Sequence, residues 1–238
     1  MSKTRNAMPM KKRAQTTAPQ APQYLRLNLG AGDTSIEGFI PLDSRLGSEI
    51  YPLGYPDNSV DEIRASHVLE HFPHFEVAHV VKDWVRALRP GGLIRIAVPD
   101  FEHIVKEYLA GKPINTQGLI HGAQTYPENL HMASFDYETL RDIMVNAGIE
   151  RMGRWVSEIP DCASMATPDG KPLSLNLMGF KPTTEDKEVK GIFAVAAVAR
   201  YGPSLYHICT DRALAILRIP VDKLVGCFWH QNLSNMIE

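Results

Sequence analysis

Between Glu76 and Arg89 the apolar residues Val77, Val80, Val81, Trp84, Val85 and Leu88 recur at helical spacing, and Pro90-Gly91-Gly92 ends them. A β-rich run from Val60 to Ala65 precedes this stripe. Another, from Leu93 to Val98 and closed by Pro99-Asp100, follows it. Parallel neighbours in a sheet need a crossover of a dozen or more residues, usually a helix, whereas antiparallel neighbours need only a tight turn. Strand, amphipathic helix and strand at this spacing therefore predict a parallel crossover unit and an α/β fold.

The flanking sequence extends the sheet on both sides. Leu25, Leu27 and Leu29 alternate into a glycine cluster, Phe39 to Leu42 form a second apolar run, and the turn-forming Pro56-Asp57-Asn58-Ser59 introduces the third. These three strands end at the Gly30 loop, at Asp43 and at Ser66. Further on, Asp136 is placed to cap a helix whose Leu140, Ile143, Met144 and Ala147 share a face, with Gly148 as its left-handed terminator. A strand from Ile149 to Val156, a Pro/Asp/Ser/Gly-rich loop and a strand from Leu173 to Phe180 follow, and the two strands are expected to pair antiparallel at a sheet edge.

Residues 1–23 carry five basic residues, no acid and little to bury, and read as a flexible tail. Residues 24–182 form the main domain, 183–189 a charged linker, and 190–238 repeat a strand, helix, strand texture expected of a small α/β appendage or a truncated second domain.

Across 238 residues, 25 basic and 27 acidic side chains leave a formal charge of -2, which gives no global pull toward nucleic acid. Three cysteines, Cys162, Cys209 and Cys227, lie far apart without a CxxC pair, which argues against a zinc ribbon or a disulfide scaffold. There is no apolar run of the roughly 18 to 20 residues that span a bilayer, and the N-terminus lacks the apolar centre of a secretory signal. A cytoplasmic location is expected.

The segment Leu27-Asn28-Leu29-Gly30-Ala31-Gly32-Asp33 is a strand emptying into a Gly-x-Gly turn, where missing Cβ atoms let backbone approach a ligand. Asp43, at the end of the second strand, can accept hydrogen bonds from both hydroxyls of a ribose. A dinucleotide fold would add a third glycine and a longer first helix, yet only nine residues separate Leu29 from Phe39.

With these pieces, and with Gly38-Phe39-Ile40-Pro41-Leu42-Asp43, Tyr55 to Asp61, Ala65-Ser66-His67-Val68-Leu69-Glu70-His71 and Leu88-Arg89-Pro90-Gly91-Gly92, the chain resembles the class I S-adenosylmethionine-dependent methyltransferases. The likeness is to their small-molecule and glycan-associated branch. It implies a doubly wound, mostly parallel Rossmann-like sheet with an antiparallel edge strand. It also implies that S-adenosylmethionine is met by Asn28, Gly30, Ala31, Gly32, Asp43, Glu49, Ile50 and Ser66. Gly30 and Gly32 would lie under the methionine part, Asp43 at the ribose, and Glu49 with Ile50 at the adenine.

The acceptor would be a small molecule or sugar, with no nucleic acid and no membrane span. The region after Lys190 loosely resembles the opening of a glycosyltransferase-like domain, through Phe193 to Arg200 and Gly226 to Gln231. Oligomeric state is open.

In-line methyl transfer requires alignment and exclusion of water, and a base only when the acceptor must lose a proton. No metal is assigned. His67, His71 and His131 are the candidate catalytic groups, against the plainer possibilities that His71 bonds backbone at a helix face and that His131 caps the turn before the Asp136 helix. The segment Gly122 to His131 is a candidate cover over the acceptor. Two rival functions remain. One is a non-catalytic nucleoside-binding module. The other is a zinc metallopeptidase, because His67-Val68-Leu69-Glu70-His71 spells His-x-x-Glu-His.

Overall fold

The computed structural model describes residues 24–188 and Lys190. The expected basic tail and the expected appendage beyond Lys190 lie outside the described residues. Six strands, β1 (Arg26–Leu29), β2 (Ile40–Leu42), β3 (Val60–Ser66), β4 (Leu88–Pro99), β5 (Glu150–Arg154) and β6 (Ser174–Phe180), build one sheet in the order β2-β1-β3-β4-β6-β5. β1 runs parallel to β2 and β3, and β3 parallel to β4. β6 is antiparallel to both β4 and β5, which gives the sheet the antiparallel edge expected from the sequence.

Side chains alternate between sheet faces along a strand, and here the two faces differ sharply in chemistry. Leu27, Leu29, Ile63, Ala65, Ile94, Ile96, Leu175 and Leu177 are buried with α1 (Val77–Ala87) and α4 (Tyr137–Asn146), whose Val80, Val81, Trp84, Leu140 and Met144 complete one continuous core. The intervening residues of the same strands are Arg26, Asn28, Glu62, Arg64, Arg95 and Asn176. This polar face receives Trp155 and Ala163, which pack with Ala97 and Met178. The Trp155 Nε1–H lies within reach of the carbonyls of Leu177 (3.1 Å) and Ile96 (3.3 Å). The β1–β2 connection spans only residues 30–39, too few to lay a helix of ordinary length across that face.

Several boundaries differ from expectation. α1 stops at Ala87 rather than Arg89, and β4 begins at once at Leu88, which is already extended. The cause is Pro90, which disfavours helical torsions at the residue before it. A register shift between Val60 and Glu62 of β3 absorbs the turn-like Pro90 and Gly91 inside the strand. β5 is shorter than the expected Ile149–Val156 and carries its own register shift. Residues 184–188, expected as linker, are helical. Their start is fixed by Asp186, whose carboxylate accepts from the Thr183 backbone N–H and hydroxyl (both 2.8 Å).

Two further helices, α2 (Phe101–Leu109) and α3 (Thr116–His121), follow β4. Asp100 starts α2 by accepting from the backbone N–H of His103 (3.1 Å), and Asn115 caps α3 in the same way at Gly118 (3.1 Å). As expected, Asp136 caps α4, accepting from Thr139 N–H (2.8 Å), and Gly148 lies beyond its end at φ 96°. At the far side of the sheet, Lys181 at the end of β6 directs its ammonium to the carbonyls of Leu88 (2.7 Å) and Val85 (2.8 Å) and to Asn58 Oδ1 (2.9 Å). That cation meets the carbonyl end of α1, where the helix dipole favours positive charge. No helix among the described residues is long and apolar enough to cross a membrane.

Candidate active site

The carboxyl ends of β1, β2 and β3 open into one cleft of about 1150 Å³. Open α/β sheets place ligands in this position because loops leaving adjacent strands diverge there. Of the eleven residues expected at the site, Gly30, Ala31, Gly32, Asp43, Glu49, Ile50, Ser66, His67, His71 and His131 all line this cleft. Asn28 does not. It is 2% exposed, and its side chain accepts from Arg64 Nη1 (3.1 Å).

The glycine loop is fixed by backbone torsion and by one carboxylate. Gly30 and Gly32 have φ of 62° and 53°, the left-handed region that side chains with a Cβ avoid. A Cβ on Gly30 would fall 2.5 Å from Val68 Cγ2, so the loop can lie this close to the β3 exit only because position 30 is bare. Asp43 then ties the loop to the end of β2. Its Oδ2 accepts from the Gly32 N–H (2.8 Å) and its Oδ1 from the Arg45 N–H (2.9 Å). An ionised carboxylate offers about four lone-pair sites, so both oxygens keep acceptor capacity beyond these bonds. Arg45 extends from the short turn Ser44–Leu46 over the ring of Tyr126 (5.5 Å to the centroid), joining the β2 side of the cleft to the segment after α3.

In the wall of the cleft runs a charged network that the sequence reading did not assign to the site. Arg64 of β3 pairs with Asp161, and their side chains are only 5% and 7% exposed. Asp161 Oδ2 also accepts from Ser66 Oγ (3.0 Å) and Oδ1 from Ser157 Oγ (2.8 Å). Burial pushes the Asp161 carboxyl up, but the hydrogen bonds from Arg64, Ser157 and Ser66 outweigh it and hold the group below its ordinary value. An arginine within a strand whose residues 60–65 are all buried is the signal that points to such a partner.

At the other end of the cleft stand the three histidines around Glu70. His67 leaves β3 with φ 52°, a left-handed torsion rare for a residue with a side chain and costly unless its surroundings enforce it. Its Nδ1 lies 3.2 Å from Glu70 Oε1 and its Nε2 2.8 Å from Ser174 Oγ. The direction of the second contact is fixed. Asn176 Nδ2 donates to the Ala163 carbonyl (2.9 Å), so Asn176 Oδ1 accepts from Ser174 Oγ (2.7 Å), and the Ser174 oxygen accepts from His67. The His67 Nε2–H is thus spent on Ser174, and its Nδ1 faces Glu70.

His71 and His131 are arranged differently. Their rings meet edge to face with centroids 4.9 Å apart. His71 Nδ1 lies 3.2 Å from the Leu130 carbonyl oxygen, and His131 Nδ1 3.1 Å from that of Leu119. A carbonyl only accepts, so both rings carry a proton on Nδ1. His71 therefore does bond backbone, though in the segment after α3, and His131 bonds α3 rather than capping α4. That segment is bound down by the Glu70 carbonyl, which accepts from the N–H groups of Met132 (2.8 Å) and Ala133 (3.2 Å). It walls the cleft with Tyr126, Asn129 and Leu130. Burial lowers the His131 pKa, against the opposing pull of Glu70. The Glu70 carboxyl is fully buried, which pushes it up, but His67 and the nearby His71 more than offset this and hold it below its ordinary value.

The metallopeptidase alternative fails on this geometry. The string His67 to His71 is not a helix, since only Leu69–His71 form a short 3₁₀ turn. His67 and His71 do not face a common point, and the imidazole beside His71 belongs to His131.

No curated protein matches the chain. Among solved structures, an S-adenosylmethionine-dependent methyltransferase from Archaeoglobus fulgidus is similar at 15% identity, covering 67% of this chain and 89% of its own, with a TM-score of 0.44. One from Mesorhizobium loti is similar at 16% identity, covering 67% and 93%, with a TM-score of 0.43. One from Methanosarcina mazei is similar at 14% identity, covering 66% and 92%, with a TM-score of 0.42. Residues 10–96, a span that takes in β1, β2, β3, α1 and most of β4, match the family model described as "Methyltransferase domain".

Proposed function

We propose that the chain is an S-adenosylmethionine-dependent methyltransferase acting on a small molecule or glycan precursor. The observation that supports this most directly is the meeting of ten expected residues, from segments as far apart as Gly30 and His131, around a single cleft at three strand tips. The residues present fit the cofactor. The bare Gly30 and Gly32 leave peptide exposed where a ligand can lie close, and Asp43 retains acceptor capacity for sugar hydroxyls. Ile50 and Tyr51 give the cleft an apolar wall, with the exposed Glu49 at its rim.

When bound, the sulfonium cofactor supplies an electrophilic methyl group. The chain's part is to hold, orient and dry the site, and oriented reactants remove roughly 7 to 11 kcal/mol of barrier. The segment 122–133 excludes water from one side. The proton that an O–H or N–H acceptor must lose has the His71–His131 pair, backed by Glu70, within the same cleft, provided that no other ligand occupies the Nε2 lone pairs of the two rings.

Equilibrium dialysis of the full chain against S-adenosylmethionine and its thioether product tests the proposal. Both are expected to bind, and Asp43→Asn is expected to weaken binding by about 1 to 3 kcal/mol, the scale of a hydrogen bond to a charged group. The unliganded variant's melting curve accounts for the two loop bonds that Asp43 makes. Absence of binding by either ligand to the wild-type chain would sink the proposal, and binding without turnover on any acceptor would favour the nucleoside-binding module.

A further inference from the structure

Glu70 is fully buried in the interior wall of the cleft, yet neither carboxylate oxygen accepts a well-aligned hydrogen bond. Burying an ionised carboxylate without such partners costs several kcal/mol, and structures seldom leave it so without a counter-charge. Around it, one ligand atom each from Glu70, His71 and His131 lie within 4.8 Å of one another. We propose that these three side chains hold a divalent transition-metal cation of the zinc, cobalt, nickel or ferrous class at the acceptor end of the cleft.

The proposal stands on hydrogen-bond direction as well as proximity. Because Leu130 and Leu119 fix the proton on Nδ1 of His71 and His131, each ring has its Nε2 lone pair available, and His131 Nε2 is 3.9 Å from Glu70 Oε1. A metal-binding histidine typically donates its other N–H to a backbone carbonyl in this way, which sets tautomer and ring orientation together. His67, placed 3.2 Å from Glu70 Oε1, steadies the carboxylate and is a positioning residue.

The donor set selects the class of ion, since two imidazoles and one carboxylate suit zinc and its neighbours, whereas magnesium and calcium take oxygen ligands. Three protein ligands leave a coordination position open. Tetrahedral bonds of about 2.0 to 2.1 Å set ligand atoms about 3.4 Å apart, so the group must draw in slightly around the ion. Binding of the ion does not depend on methyl transfer. Where that reading also holds, the open position faces the acceptor and narrows it to compounds with an oxygen donor, such as a hydroxyl.

The test uses the chelator-treated full chain, with no donor or acceptor present, titrated with Zn²⁺ against a chromophoric competitor and separately with Co²⁺ followed by visible absorption. The wild-type chain is expected to bind one Zn²⁺ and to give a d–d band with stoichiometric Co²⁺. His71→Ala and His131→Ala should each weaken Zn²⁺ binding by more than the roughly 10- to 100-fold that loss of an outer partner costs, with His67→Ala inside that range. His79→Ala, on an exposed position of α1, controls for surface histidines and should leave affinity unchanged. Wild-type affinity in both ligand variants would overturn the proposal, as would a wild-type chain that shows neither stoichiometric Zn²⁺ binding nor the Co²⁺ band. The Co²⁺ measurement needs no variant, so a substitution that fails to fold does not shelter the idea. Loss of this site would leave donor binding at Asp43 untouched.

Discussion

Replacing Asp161 with Ala should cost far more than removal of a surface ion pair. Its partner Arg64 is 5% exposed and sits in the strand whose tip carries Ser66 and His67, so the variant leaves a nearly buried guanidinium in the cleft wall with Asn28 Oδ1 and the face of the Trp155 ring left to meet it. Stranding one member of a buried pair costs about 3 to 5 kcal/mol, against a total stability of about 5 to 15 kcal/mol for a domain of this kind. Ser66 loses its acceptor at the same time, and Ser157 is left with the Ile159 carbonyl. Urea unfolding followed by circular dichroism reads the difference as a lowered midpoint at unchanged slope.

The pair also predicts a pH dependence. The folded Asp161 carboxyl lies below its ordinary 3.8, so it binds protons more weakly folded than unfolded. Its contribution is therefore complete above the unfolded value and is lost as pH falls through the lower folded one. The Asp161→Ala variant should lack that share of acid sensitivity. The double variant Arg64→Met/Asp161→Leu should recover part of the loss, since an apolar pair of similar size removes the stranded charge. A midpoint shift worth less than about 1 kcal/mol, the range of exposed pairs, would refute the view that this network is a buried support.

Two further substitutions test separate parts of the fold. Gly30→Ala should destabilise by about 1 to 2 kcal/mol for its left-handed torsion, with a further cost of about 1 to 3 kcal/mol for crowding Val68; a melting temperature equal to wild type would mean that the loop does not pass where Val68 confines it. Asp136→Ala should cost about 1 kcal/mol through loss of the α4 cap and leave cofactor affinity alone, so an affinity change measured by dialysis would show that α4 reaches the site.

What the sequence disclosed follows from which interactions are local. α1 and α4 were legible because each carries an apolar stripe and a punctuating terminus, and β1 to β4 because alternating apolar residues run up to turn residues. α2 and α3 escaped notice because they bury little, α2 contributing only Ile104 and Glu107 to the interior and α3 nothing. Their capping residues Asp100 and Asn115 were the available signals. At the site, the glycine loop and Asp43 are close in sequence and were readable together. The Arg64–Asp161 link spans 97 positions, and the approach of His131 to Glu70 depends on how residues 122–133 fold back, so neither could be read from spacing. Asn28 is absent from the lining of the cleft for a related reason. Strand alternation puts it on the polar sheet face, where its side chain is taken up by Arg64.

The strand order has a consequence for how the chain can be assembled. Among the described residues β5 is joined to the sheet only through β6, yet β6 is later in the sequence and inserts between β5 and β4. A ribosome releasing this polypeptide from its N-terminus therefore delivers β5 before there is anything for it to join. The exit of α1 likewise waits for Lys181. Completion of the domain is thus deferred to about ten residues near its end, and a product cut short before Ser174 would lose two strands and the clasp on α1 together.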